Sequence, residues 1–511
     1  MKKEYKFLYL FALIKFILPF ILQNSYYQPQ RDEFLYLAEA HHLAWGYMEV
    51  PPLLSVFAWF TNLFGTSMFW LKFWPSLFGA LTYLVAGRII LSFGGKVFAL
   101  FLGLLPFIFG AYLRVHFLFQ PNFLEIFFWT MIAFSVLRFI QTQKNIYLYL
   151  FGISAGLGML SKYSVAFFII SILIALLITK NRKIFLKKHL YVASLIGFLI
   201  FLPNLLWQIR YGFPVIEHMH ELHQFQLQYV SPVGFLVDQL LMNLPVVFIW
   251  IAGLYFVVFK EQGTCRVFAW AYLLVILILL YFQGKNYYSL GVYPVLFAFG
   301  AIHLERFAVK HSMVWKFVFI VIPFALGIPL IPLYLPVYKP EKLAAYYKAK
   351  HIEKTGFLKW EDLKDHPLPQ DFGDMLGWKE MTEKTAKAYS TLSEEEKKNT
   401  FIFADNYGQA GAINYYGKKY HLPTVYSDNA SFLYWLPDSV HIDNLLLITD
   451  DQHEMEHPFI KDFQSVAVYD SITNPYAREH GSLIIIMKGA NEKIDPMFKE
   501  KIKKDKMRFN R

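Results

Sequence analysis

The sequence predicts an α-helical polytopic membrane protein with a water-exposed C-terminal α/β domain. Three features predict it. Of 511 residues, 56% are hydrophobic, 19% aromatic and only 17% charged, a balance too apolar for an ordinary soluble chain. Apolar runs recur along residues 1–335 at about the ~20-residue length that crosses a bilayer. After Pro336 the composition turns polar, and short β-rich runs alternate with helical stretches.

Residues 7–22 (FLYLFALIKFILPFIL) follow Lys2, Lys3 and Lys6 as in a secretory signal, but no small-x-small cleavage motif precedes Gln23. This predicts an uncleaved first span. Further apolar runs at 68–92, 97–113, 123–140, 146–161, 163–179, 190–207, 236–258, 267–282, 289–307 and 314–335 bring the expectation to about eleven spans. A cytoplasmic N-terminus puts Arg88, Lys96, Arg138, Lys144, the stretch KNRKIFLKK (180–188), Lys260, Arg266, Arg306 and Lys310 inside, where loops concentrate Lys and Arg. That distribution accounts for the net charge of +11 without a nucleic-acid partner. An odd number of spans then delivers the C-terminal domain to the outer face. The single Cys265 excludes an intramolecular disulfide.

Two outer segments, 24–67 and 208–235, are too long for turns, and long loops tend to be functional. In the first, Phe34, Leu37, Ala38 and Leu43 form a helical apolar stripe ahead of Pro51 and Pro52, predicting a helix on the membrane surface. The transmembrane domain is thus 1–336, with 24–67 as its catalytic loop, and the extracytoplasmic domain is 337–511. Strands are expected at 400–404, 424–427, 444–449, 465–470 and 482–488, and the basic tail KEKIKKDKMRFNR is expected to fray.

Asp32 and Glu33 form the first acidic pair after the first span, just outside the bilayer. They fit a solvated helix start, but a long outer loop favours chemistry. In GKNYYSLGVYP (284–294), Lys285, Tyr287 and Tyr288 stand where a phosphate would lie at headgroup level; a snorkelling lysine among interfacial aromatics is the alternative. Lys162 falls between two apolar runs, where a charge is costly. Arg31, Lys72, Arg114 and Arg210 are the other outer cations. The segment EHMHELHQ (217–224) offers His218, His220 and Glu221 to a divalent metal, though without the H-E-x-x-H spacing. Walker, Rossmann and G-x-S-x-G motifs are missing, which leaves nucleotide-driven transport and serine hydrolysis unsupported.

One carboxylate and several cations at an outer face suit attack of a hydroxyl on the anomeric carbon of a sugar phosphate. The base takes the hydroxyl proton, and positive groups hold a departing phosphate that needs no proton. Glycosidases need a second carboxyl for a poorer leaving group. Direct displacement inverts the anomeric centre.

The stretches RDEFLYLAEAHHLAWGYMEVPPL, LFQPNFLEIFFW (118–129), GLGMLSKYS (156–164), YGFPVIEHMHELHQFQL, GKNYYSLGVYPVLFAFGAIHLE, QDFGDMLGW (370–378) and NYGQAGAINYYG (406–417) resemble the bacterial branch of the C-type membrane glycosyltransferases. These are relatives of the protein O-mannosyltransferases and the lipid A aminoarabinose transferase. The resemblance implies Asp32 as catalytic base and Glu33 as a substrate-orienting group. It also implies Glu49 beside the Pro pair and Lys285 and Tyr287 near the donor phosphate. A polyprenyl-phosphate-linked sugar donor follows, with membrane lipids around it, a lipid, glycan or protein acceptor, and no nucleotide at the site; metal use varies within the family. Asn122 departs from the family, whose members place an acid near it. The rival class is a transporter or lipid flippase, but transporters place their charged sites near the bilayer midplane, and the chain has no internal repeat.

Overall fold

The computed structural model describes residues 3–261 and 263–509; Lys2 of the basic N-terminal flank and the last two residues of the tail lie outside them. Every predicted apolar run is helical. The helices are α1 (Lys3–Leu22), α2 (Arg31–Glu39), α3 (Leu53–Phe64), α4 (Met68–Ser92), α5 (Val97–Ile108), α6 (Ala111–Val115), α7 (Asn122–Thr142) and α8 (Ile146–Met159). They continue as α9 (Val165–Ile178), α10 (Lys188–Arg210), α11 (Pro214–Phe225), α12 (Pro232–Leu241), α13 (Val247–Tyr255), α14 (Arg266–Tyr281), α15 (Tyr293–His311) and α16 (Val314–Tyr334). Among the described residues six helices are long and apolar enough to cross a membrane, or eight if each of two bent pairs is one span. The bends are 109° after α9 and 62° between α12 and α13. The shorter apolar helices α5, α8 and α14 occupy the remaining three predicted runs.

Contacts sort the helix ends onto two sides. On one side, Asn24 Nδ2 donates to Val337 O (3.5 Å), Phe119 N to Glu33 (2.7 Å), Lys162 Nζ to Asn122 (2.6 Å) and Asn204 Nδ2 to Trp45 O (2.7 Å), and His223 meets Gln283 (3.1 Å). On the other, Lys96 N donates to Glu305 (2.8 Å), Arg306 to Phe93 O (2.8 Å) and Gln141 to Ser92 (3.4 Å), and Tyr149 meets His189 (2.6 Å). The chain alternates between these sides, and the second carries the run of Lys and Arg predicted to share a face.

The C-terminal residues form a five-stranded sheet of β1 (Thr400–Ala404), β2 (Val425–Tyr426), β3 (Asn444–Thr449), β4 (Phe463–Ser471) and β5 (Leu483–Ala490) in the order β2-β1-β3-β5-β4. β1 pairs in parallel with β2 and β3, while β5 is antiparallel to β3 and β4. All six β3 residues are buried, as expected of an apolar run covered on both faces. Helices α17 (Pro340–Ala349), α18 (Gln370–Gly373), α19 (Trp378–Ser390), α20 (Glu394–Lys398), α21 (Tyr407–Tyr416) and α22 (Ile494–Phe509) complete the domain.

Two expectations are corrected. The described part of the basic tail does not fray: α22 carries it back over the protein, with Lys506 on Leu436 O (2.8 Å) and Asp438 (3.0 Å), and Arg508 on Glu217 (3.0 Å) and Glu221 (2.8 Å) of α11. Opposite charges on α11 and α22 outweigh the end's tendency to unravel. Nor does α2 leave an apolar stripe open to lipid: Phe34, Leu35, Tyr36 and Leu37 are all buried, and Leu43 of the expected stripe is exposed. The helix is roofed by α19 and α21, with Phe34 edge-on to Trp378 (5.5 Å) and Tyr415 (5.6 Å).

Candidate active site

Helix α2 begins with a capping box. Gln30 accepts from Asp32 N (2.8 Å), and Glu33 accepts from Gln30 N (2.9 Å), so two otherwise unsatisfied amides are paired. This fixes adjacent carboxylates in opposite environments. Glu33 points inward, fully buried, with its other oxygen on Lys72 Nζ (2.5 Å) and Phe119 N (2.7 Å). Asp32 is half-buried, with Oδ1 accepting from Tyr407 Oη (2.6 Å) and Oδ2 from Gln120 Nε2 (3.0 Å).

From Asp32 a chain of polar contacts runs along the helix ends on the side that carries the C-terminal domain. Gln120 accepts from Asn122 Nδ2 (3.5 Å), and Asn122 accepts from Lys162 Nζ (2.6 Å). Lys162 also pairs with Glu125 (3.0 Å), which accepts from Ser164 Oγ (2.5 Å), and lies 4.1 Å from the centre of the Tyr288 ring and 5.4 Å from that of Tyr287. Asn122 is thus the amide that joins Lys162 to the Asp32 chain. Lys285 is half-buried, and its ammonium makes no hydrogen bond or ion pair among the described residues. With Tyr229, Ser231, Phe235, Asp238 and Asn286 it lines an open cavity of about 280 Å³. Nearby, burial and the Lys285 charge push His218 down to about 4, so it is a neutral imidazole.

Other predicted site residues are placed elsewhere. Glu33 is sealed in a buried ion pair and has no surface to offer a substrate. Glu49 accepts from Ser431 N and Oγ (both 2.6 Å), so it ties the 24–67 segment to the C-terminal domain; burial raises its carboxyl above the usual range. Arg210 is exposed at the end of α10 beside the Tyr211 ring (5.9 Å). Among the outer cations, Lys72 is taken by Glu33, Arg114 by Asp371 (2.9 Å) and Arg31 by the face of Tyr407 (4.4 Å). Among the described residues His218, His220 and Glu221 do not bring their ligand atoms together, and Glu221 is held by Arg508 (2.8 Å). Among the described residues, the group whose ligand atoms all lie within 4.8 Å is Asp451, Glu454 and His457, after β3. There Asp451 and His457 already pair at 3.0 Å.

Sequence reasoning gave no role to Gln120 or Tyr407. Both lie in stretches quoted for the family resemblance, but nothing in their spacing tells that they meet Asp32, one from the segment between α6 and α7 and the other from 375 residues away.

The C-terminal domain is seated on α2 by Gln28 N to Met375 O (2.9 Å) and Arg31 N to Asp374 O (3.1 Å). Asp374 accepts from Gln30 Nε2 (3.1 Å) and lies 3.4 Å from Arg478. Burial pushes its carboxyl up to about 7, against the lowering by Arg478 and Arg31. The folded state therefore keeps a proton that the unfolded chain releases near pH ~3.9. Its contribution is full below that pH and is lost as pH rises through about 7. The melting temperature in detergent is expected to fall between pH 6 and pH 8, and Asp374→Asn to flatten that dependence; an equal slope in the variant would remove Asp374 as its source.

The fold is that of the C-type membrane glycosyltransferases. ArnT from Cupriavidus metallidurans superposes in its apo state with a TM-score of 0.63 at 11% identity, over 94% of this chain and 97% of that one. Its complex with undecaprenyl phosphate gives 0.60 at 12% identity over the same shares. The apo oligosaccharyltransferase of Archaeoglobus fulgidus gives 0.50 at 14% identity, over 89% of this chain and 70% of that one. The family model described as dolichyl-phosphate-mannose-protein mannosyltransferase matches residues 49–207, which begin after Asp32 and end within α10. No curated protein matches the sequence.

Proposed function

We propose that the protein is an inverting glycosyltransferase that moves a sugar from a polyprenyl-phosphate donor to a lipid, glycan or protein acceptor on the outer face of the cytoplasmic membrane. The observation that carries the reading is the Asp32–Gln120–Asn122–Lys162 chain, which joins a carboxylate outside the spans to a cation among tyrosines, with Lys285 free beside an open cavity. The shared fold with ArnT, solved with undecaprenyl phosphate, supports a lipid-linked donor, as does the family model over residues 49–207. The Lys and Arg of the opposite face support that face as cytoplasmic.

In the reaction, Asp32 takes the proton of the acceptor hydroxyl as its oxygen bonds to the anomeric carbon. The bond from that carbon to the donor phosphate oxygen breaks, and the polyprenyl phosphate leaves with the electron pair. Lys285 meets the phosphate, since Lys162 is already neutralised by Glu125 and holds the tyrosines instead. No step is routed through a metal.

The test is transfer of labelled sugar from synthetic undecaprenyl-phosphate-linked mannose or aminoarabinose by the protein reconstituted in liposomes with envelope extract. Lys285→Ala is expected to raise the donor KM at least tenfold. An unchanged donor KM would remove Lys285 from the phosphate site, and no turnover with any polyprenyl-phosphate sugar would overturn the function.

A further inference from the structure

The motif NYGQAG (406–411) lies in the C-terminal domain, yet its side chains converge on the candidate base. Asn406 caps α21 by accepting from Gly408 N (3.0 Å) and Gln409 N (3.1 Å), and this sets Tyr407 at the first position of the helix. The Tyr407 ring lies against the Arg31 guanidinium at 4.4 Å, and its hydroxyl donates to Asp32 Oδ1 at 2.6 Å. Two glycines allow that reach. A Cβ on Gly408 would stand 2.6 Å from Arg31 Cγ, and one on Gly411 would stand 2.8 Å from Phe34 Cβ and 3.2 Å from its carbonyl carbon and oxygen. Helix α21 therefore lies closer to α2 than any side chain at 411 permits.

We propose, resting on the reading of Asp32 as base, that Tyr407 is a positioning residue through which the C-terminal domain completes the active site. Tyr407 on Oδ1 and Gln120 on Oδ2 fix the plane of the carboxylate, one donor coming from each domain. A carboxylate oxygen has two lone pairs, so each keeps one for the acceptor proton. Burial and the Asp32 charge hold the Tyr407 phenol protonated, so it stays a donor throughout the working pH range. A C-terminal domain seated wrongly would leave the carboxylate free to turn away from the acceptor, and small misplacements of reacting groups cost on the order of 100-fold in rate.

Tyr407→Phe keeps the ring under Arg31 and removes only the hydroxyl. It is expected to lower kcat at least tenfold with the donor KM within twofold. It is also expected to move the acid limb of the pH–kcat profile to higher pH, because a carboxylate deprived of a donor is easier to protonate. Gly411→Ala keeps the hydroxyl but separates the helices, and is expected to lower kcat as well, although alanine is the better helix former. Wild-type kcat and pH profile in Tyr407→Phe, beside an inactive Asp32→Asn, would overturn the positioning role alone. Turnover by Asp32→Asn would overturn the base, and this inference with it.

Discussion

Asp32→Asn is expected to lower sugar transfer by about 10²- to 10⁴-fold, the usual contribution of a positioned base, while leaving expression, membrane insertion and melting temperature close to wild type. The change is nearly isosteric. Asparagine can still accept from Tyr407 or Gln120 through its carbonyl oxygen, so the seat of the C-terminal domain on α2 survives. What it cannot do is take the acceptor proton at neutral pH. The effect should therefore fall on kcat with little change in the donor KM, since in the proposed reaction the donor phosphate meets Lys285 and not Asp32. Retained turnover would exclude Asp32 as an essential base. A transporter with this fold would leave glycolipid and glycoprotein profiles untouched by the same substitution, which separates the two classes in a cell.

Much of the fold was legible because hydrophobicity is read locally. Each of the eleven apolar runs is helical, and TFIFA and NLLLIT became β1 and β3 without a shift of register limits. Span counting was less secure, because α5, α8 and α14 are each too short to pass alone. At the candidate site, the sequence singles out Asp32 by its place after the first span and Lys162 by a charge set between apolar runs, and the structure links the two through Gln120 and Asn122. Glu33 turns to the core instead of a substrate for a physical reason: neighbours on a helix point about 100° apart, so one member of an acidic pair can face solvent while the other meets the core. Its partner Lys72 lies on the same side as Asp32 but is buried, because the sequence does not reveal which face of α4 turns inward. Tyr407 and Gln120 were invisible as partners of Asp32, since contacts between domains leave no spacing to read.

The buried pair supplies the second large effect, on stability. Lys72 and Glu33 meet at 2.5 Å with exposures of 1% and 0%, and Glu33 also accepts from Phe119 N and Gln30 N, so the pair pins α2 to α4 and to the segment after α6. Removing one partner strands a charge, which costs about 3–5 kcal/mol, whereas replacing both can be nearly neutral. Lys72→Met is therefore expected to lower the melting temperature sharply and to abolish transfer through misplacement of Asp32. Glu33→Gln in the Lys72→Met background should recover much of that loss, because glutamine keeps an acceptor for Phe119 N without a charge in need of a partner. A substrate-contacting Glu33 behaves differently: Glu33→Gln alone would then lose turnover at an unchanged melting temperature, and the double variant would melt no higher than Lys72→Met. Thermal unfolding of the three variants in one detergent, set beside their transfer rates, decides between a carboxylate that holds the base in place and one that touches the sugar.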